Sequence, residues 1–205
     1  MDLYPLWNSL RIAGISTVII FFLGMFAAYF IAKTPRLVKG VLDVILTLPL
    51  VLPPTVVGYL LLRVLVPWSA IFAPAVVIFP LMYRTARGAF EAFDETLAWS
   101  AKSIGLSNHY IFWRIRLPAC RQGILAGTVL AFARALGEYG ATSMIAGYTP
   151  GRTATISTTV YQLWRTNDDA QAFLWVLVNL AISFAVLLAM NMLEKRERQR
   201  ARGGR

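Results

Sequence analysis

The sequence predicts an all-α integral membrane protein of about five transmembrane helices, and three observations carry that prediction. Hydrophobic residues make up 58% of the 205-residue chain and charged residues only 15%, with a mean hydropathy of +0.60, a balance that an ordinary water-soluble domain does not have. The apolar residues fall in long blocks rather than at the amphipathic period of a soluble helix. The formal net charge of +10 sits in the gaps between those blocks, which is the positive-inside pattern rather than an aromatic-studded nucleic-acid face. Lipid is the expected solvent and no nucleic acid is the expected partner.

A hydrocarbon core about 30 Å thick takes roughly 20 residues of helix. Residues 13–32 carry no charge, and Lys33, Pro35 and Arg36 end the block with cations and a helix breaker. Residues 41–62 form a second span with Asp43 near its start, and Pro49, Pro53, Pro54 and Gly58 predict a kinked helix because each proline removes an amide donor. A short turn around Pro67, Trp68 and Ser69 leads into a third span over residues 64–83. The fourth, residues 119–147, follows Pro118 and is interrupted by Arg134 and Glu138; the fifth, residues 170–193, has no charge. The five spans read as one membrane domain over residues 1–205. Residues 1–10 contain no Lys or Arg, so no removable signal peptide is expected.

The cations decide the orientation. Lys33, Arg36 and Lys39 lie in the first gap, and Arg84, Arg87, Lys102, Arg114, Arg116 and Arg121 in or beside the third; six more follow Leu193 in a basic tail over residues 194–205. The alternate gaps hold Arg63 in one and Arg152 and Arg165 in the other, the latter offset by Asp168 and Asp169. With five spans the amino terminus is outside and the carboxyl terminus inside, and the tail suits a helix on anionic lipid. Two loops are long. The inner one, residues 84–118, exceeds what a connection needs, so something docks there. The outer one, residues 148–169, has apolar positions at Ile156, Val160, Leu163 and Trp164 that suit a short re-entrant or interfacial helix.

Catalytic chemistry finds little material. Cys120 is the single cysteine and His109 the single histidine, so no cysteine metal cluster, histidine metal site or Ser-His-Asp relay can be assembled. No Gly-x-x-x-x-Gly-Lys-Ser/Thr loop is present to hold nucleotide phosphates. No catalytic residue, metal ligand or bound cofactor is expected.

The inner loop reads Trp99-Ser100-Ala101-Lys102-Ser103-Ile104-Gly105, and ten positions after Gly105 comes Ile115-Arg116-Leu117-Pro118. Residues 98–104 suit a helix, Gly105 its left-handed end, Ser107 or Asn108 the cap of a second helix, and Pro118 the start of the next span. A glycine so spaced from Ile-x-Leu-Pro resembles the EAA loop of ABC importer permeases. Two further segments agree in order: residues 48–59, with Pro49, Pro53, Pro54 and Thr55, resemble the second-span signature of molybdate and sulfate permeases, and so do residues 132–142 around Arg134-Ala135-Leu136-Gly137-Glu138-Tyr139-Gly140. Gly140-Ala141-Thr142 and Pro150-Gly151-Arg152-Thr153 look closer to the molybdate branch, with sulfate and tungstate permeases as near relatives. The chain departs from the family at Trp99-Ser100, where the family has Glu-Ala, and in the short turn near Trp68.

The resemblance implies a type I ABC importer permease fold in the bacterial inner membrane. It also implies a homodimer on two ATPase subunits that use ATP and Mg, fed by an extracytoplasmic oxyanion-binding protein. Ser100, Ala101, Gly105, Ile115, Leu117 and Pro118 would then form the coupling loop. Candidate pathway or gate residues are Thr55, Arg134, Glu138, Gly151, Arg152 and Thr153. Arg134 and Glu138 are four apart on one helix face and should turn toward the protein interior, as a structural ion pair or as part of a gate. Thr55 suits a cavity lining or a bond within its own helix, and Gly151 to Thr153 suit an oxyanion contact or an external turn. Gly123 and Gly127 have the GxxxG spacing of close helix approach. The rival reading from another class is an ATPase-independent channel or secondary carrier conducting past Arg134 and Glu138.

Overall fold

The computed structural model describes residues 2–64 and 71–203, and every regular element among them is helical. In chain order these are α1 (Tyr4–Ala32), α2 (Arg36–Val51), α3 (Pro54–Val64), α4 (Phe72–Glu91), α5 (Glu95–Ser103), α6 (Asn108–Ile111), α7 (Leu117–Leu136), α8 (Gly140–Ala146), α9 (Ile156–Arg165) and α10 (Asp169–Gly203), with a π-helical turn, Phe112–Arg116, joining α6 to α7. The turn expected around Pro67, Trp68 and Ser69 lies outside the described residues.

α4 is the central helix, with α1 and α7 packed on it and on each other. Small residues allow the approach: a Cβ on Gly24 of α1 would stand 2.9 Å from Met82 Cγ, one on Gly123 2.6 Å from Ala89 Cβ, and one on Gly127 would overlap Thr85 Oγ1. The GxxxG spacing of Gly123 and Gly127 is therefore the α4–α7 contact, where backbones meet by dispersion rather than by any hydrophobic drive from lipid. Ile20, Met25, Ile78, Met82, Tyr83 and Ile124 fill the core between the three helices.

Among the described residues, two helices, Tyr4–Ala32 and Asp169–Ala189, are long and apolar enough to cross a membrane, and α2 and α3 meet that standard as a pair bent by 110°. The kink expected in residues 41–62 is thus a break. Leu52 is extended at ψ 141°, as a residue before proline must be, and Pro53 and Pro54 bring no amide hydrogen to continue the ladder. The chain becomes helical again where the Pro53 carbonyl accepts from the amides of Val56 and Val57 at 2.9 and 3.2 Å. α2 has no buried residue of its own. Side-chain polar groups hold it to α4: Tyr83 Oη donates to Asp43 at 2.5 Å, Asp43 pairs with Arg87, and Lys39 pairs with Glu91.

Three other boundaries differ from the sequence reading. α4 continues through Arg84 and Arg87 to Glu91, so the inner loop begins at Ala92 rather than residue 84. Residues 119–147 are not one helix, because α7 ends at Leu136 and α8 begins only at Gly140. Nor does Pro118 start a helix after a loop: α6, the π turn and α7 run without interruption. Pro118 cannot donate to the Arg114 carbonyl and its ring would crowd it; the wider turn just before it, where the Leu117 amide reaches back to Phe112, relieves that conflict. The expected short helix in the outer loop is α9. A Thr155–Thr158 capping box starts it, and Asn167 in the left-handed region (φ +59°) ends it, with the Asp168 amide donating to Leu163 at 3.0 Å.

Candidate functional site

Residues 92–116 project from the end of the bundle where α1 and α4 finish. Local chemistry builds this hairpin of helices. Asp94 Oδ1 accepts from the amide and hydroxyl of Thr96 at 2.9 and 2.7 Å, which caps α5 and holds the Asp94 carboxyl below its ordinary range. At the other end the Leu106 amide donates to Ala101 at 3.2 Å and the Gly105 amide to Lys102 at 3.0 Å, a closure that needs φ +86° at Gly105. Ser107 Oγ then accepts from Tyr110 at 3.2 Å and opens α6. The residues expected to form a coupling loop take distinct places: Ser100 and Pro118 are exposed, Ile115 and Leu117 half-buried, and Ala101 buried. Trp99, Ile104, Tyr110 and Trp113 stand exposed on this hairpin.

Sequence reading missed what fastens the hairpin to the bundle. Arg116, in the π turn, donates from Nη1 and Nη2 to the two Glu95 oxygens at 2.6 and 2.7 Å. Its guanidinium lies 4.6 Å from the Phe93 ring centroid and 5.7 Å from that of Tyr29. The Arg116 side chain is 7% exposed and that of Glu95 53%. The hydrogen bonds from Arg116 hold the Glu95 carboxyl below its ordinary value and, in return, raise the guanidinium. One clasp thus joins the start of α5, the end of α1 and the entry to α7. Beside it opens a cavity of about 410 Å³, lined among others by Lys33, Trp99, Lys102 and Phe112. No periodic pattern reveals a pair 21 residues apart; the signal available was an arginine placed between Ile115 and Leu117.

The second group lies at the other end of α7. Arg134 Nη1 pairs with Glu138 Oε2 at 2.9 Å, and Glu138 Oε1 accepts from the Ala141 amide at 3.0 Å. Only half of the expectation that both face the interior holds. The Glu138 side chain is 1% exposed, whereas that of Arg134 is 41% exposed. The helix ends at Leu136, so the chain that carries Glu138 turns inward while Arg134 stays on the last turn of α7, where a cation complements the helix dipole. α3 packs on α8 beside them: a Cβ on Gly140 would stand 2.9 Å from Pro54 Cβ and 3.1 Å from the Thr55 nitrogen, and one on Gly58 2.8 Å from Ala141 Cα. The break at Leu52–Pro53 and the break after Leu136 therefore sit side by side, with Thr55 exposed in the first turn of α3.

Gly151, Arg152 and Thr153 are fixed elsewhere. Gly151 has φ +68°, the Arg152 carbonyl accepts from Tyr4 Oη at 2.6 Å, and Thr153 Oγ1 accepts from the Thr149 amide at 2.9 Å. Asn8 and Ser9 continue the seam, bonding Ala154 and Ile156 at 2.9 and 2.8 Å. This turn is pinned to the first turns of α1 by hydrogen bonds from Tyr4, Asn8 and Ser9.

A helical membrane bundle with interrupted spans at one end and a capped, clasped helical hairpin projecting from the other has the build of a transporter's membrane subunit. Residues 20–199 match the family described as binding-protein-dependent transport system inner membrane component, and the chain belongs to that family. It is 36% identical to the molybdenum transport system permease protein ModB of Escherichia coli (strain K12), over 96% of this chain and 97% of the relative. Its fold matches a chain of the methionine ABC transporter MetNI in inward-facing conformations, with a TM-score of 0.78 at 16% identity over 94% of each chain. It also matches a chain of a bacterial alginate ABC transporter, solved with its alginate-pentasaccharide-bound periplasmic protein, with a TM-score of 0.72 at 19% identity over 95% of this chain and 78% of that one.

Proposed function

We propose that this chain is the permease subunit of an ATP-driven molybdate importer, coupling hydrolysis by a separate ATPase to alternating access. The observation that carries the reading is the α5–Gly105–α6 hairpin, capped at both helices and clasped to the α7 entry, in a chain 36% identical to a molybdenum permease over nearly its full length. A lever needs a stiff arm and a fixed pivot, and the caps and the Glu95–Arg116 clasp supply them. Five crossings are formed by α1, the broken α2–α3 pair, α4, α7 and α10. α4 and α7 have 20 residues each, about 30 Å of helix. The cation count puts the hairpin and the basic tail inside and the amino terminus outside, in the bacterial inner membrane.

The partners of this reading are a second copy of the chain, an ATPase dimer that docks at the hairpin and uses ATP and Mg in its own subunits, an extracytoplasmic oxyanion-binding protein, and lipid. Vesicles containing the chain, its ATPase and its binding protein test it through ATP-dependent uptake of labelled molybdate, with sulfate and tungstate as competitors. Gly105→Pro, whose ring fixes φ near −65° where the chain requires +86°, is expected to abolish uptake. Preference for sulfate or tungstate would correct the cargo alone. Uptake without the ATPase would replace the importer by a channel or secondary carrier.

A further inference from the structure

The bundle carries few ionisable groups away from its loop end, and one of them is placed in an unusual way. Arg134 has a buried partner yet is itself substantially open, with its side chain 41% exposed against 1% for Glu138. A guanidinium left open toward hydrocarbon is costly, so this face of the α7 end must meet water or other protein. Glu138 contacts Arg134 through Nη1, and its other oxygen is committed to the Ala141 amide. Arginine has five donors in a planar fork, and a fork suits a tetrahedral oxyanion as well as it suits a carboxylate.

The surroundings add a second, independent observation. Two helices are interrupted at this place, between Val51 and Pro54 and between Leu136 and Gly140, and the glycine contacts of Gly140 and Gly58 hold the two breaks against each other. Interrupted membrane helices expose backbone groups that are tolerated only where they line a cavity or are buried in protein, and paired interruptions mark ligand sites in membrane carriers. Thr55 is exposed at the edge of this junction.

We propose that Arg134 is an oxyanion ligand of the translocation path and that Glu138 is its resident counter-anion, occupying the guanidinium until a tetrahedral dianion displaces it. The inference rests on the importer reading and deepens it. Glu138 keeps the site charge-balanced when no cargo is present and competes with cargo when it is, so the oxyanion binds weakly enough to leave. The bond from the Ala141 amide anchors the carboxylate, so displacement means opening a single contact rather than rebuilding the turn.

Equilibrium dialysis of labelled molybdate against the purified permease–ATPase complex, without binding protein, separates this from a purely structural pair. Glu138→Gln keeps an oxygen for the Ala141 amide, removes the competing charge and leaves an NH2 group toward Arg134. It is expected to raise molybdate retention roughly tenfold, the scale of one charge-assisted hydrogen bond. Arg134→Gln is expected to reduce retention to background, and Arg134→Lys to leave it between the two, since an ammonium lacks the fork. Co-purification with the ATPase reports assembly of each variant. Retention by Glu138→Gln at or below the wild-type level, or wild-type retention by assembled Arg134→Gln or Arg134→Lys, would overturn the proposal. Wild-type uptake in vesicles reads the cargo separately: if sulfate is taken up in place of molybdate, that assignment fails and the dialysis is run with labelled sulfate.

Discussion

Two ion pairs hold opposite ends of α7, and their burial is reversed. At the loop end the arginine is enclosed, at 7% exposure, and makes two short hydrogen bonds to a half-open glutamate; at the other end the glutamate is enclosed, at 1%, and forms a single ion-pair contact with an open arginine. The difference is mechanical. Arg116 is surrounded by Phe93, Tyr29 and both Glu95 oxygens, so moving it breaks several contacts together. Arg134 can leave Glu138 at the expense of one. The first pair is held by several contacts and the second by one.

Truncating the enclosed arginine should have the largest effect. Arg116→Ala removes two charge-assisted bonds and the cation–π contacts with Phe93 and Tyr29, and is expected to cost about 3 kcal/mol, read as a lower unfolding midpoint of the purified complex. ATP hydrolysis that continues while uptake falls would mark this pair as the coupler; full uptake would remove the distinction between the two pairs. Glu138→Gln should by contrast change the midpoint by less than about 1 kcal/mol, because the bond to Ala141 survives. A loss as large as that of Arg116→Ala would make both pairs fixed.

Acid sharpens the comparison at the loop end. Glu95 titrates below the ordinary glutamate value of 4.5, so its contribution is complete above that value and is lost as pH falls through the lowered folded-state value. The unfolding midpoint of the complex is expected to drop more steeply across that window than in Glu95→Gln. Equal slopes would show that the clasp carries no measurable proton linkage. The most local effect falls on the helix caps: Ser107→Ala, which removes the acceptor for Tyr110, should cost about 1 kcal/mol and appear as faster amide exchange at residues 109–111.

Particular residues explain what the sequence disclosed. The hairpin was legible because its signals are local: Gly105 follows a helical run, Ser107 precedes another, and backbone bonds within a few residues complete both. Pro53 and Pro54 announced a disturbance, but the 110° angle depends on where α8 receives α3, which no single segment encodes. The break after Leu136 has no proline. Gly137 and Gly140 only permit it, and the bond from the Ala141 amide to Glu138 fixes it. Glu95–Arg116 and Asp43–Arg87 join distant stretches of chain, so charge counting recorded the residues without pairing them. The opposite exposure of Arg134 and Glu138 escaped because i,i+4 spacing assumes a helix that has already ended.

The π turn at Phe112–Arg116 has a geometric result beyond accommodating Pro118. A turn that closes with one extra residue advances the helix by about 100° of phase. The faces of α6 and α7 are therefore out of step, although the rod between Asn108 and Leu136 is continuous. On the importer reading, a push on Trp113 or Tyr110 would reach α7, which ends at Leu136, along a different azimuth from the one on which it arrived.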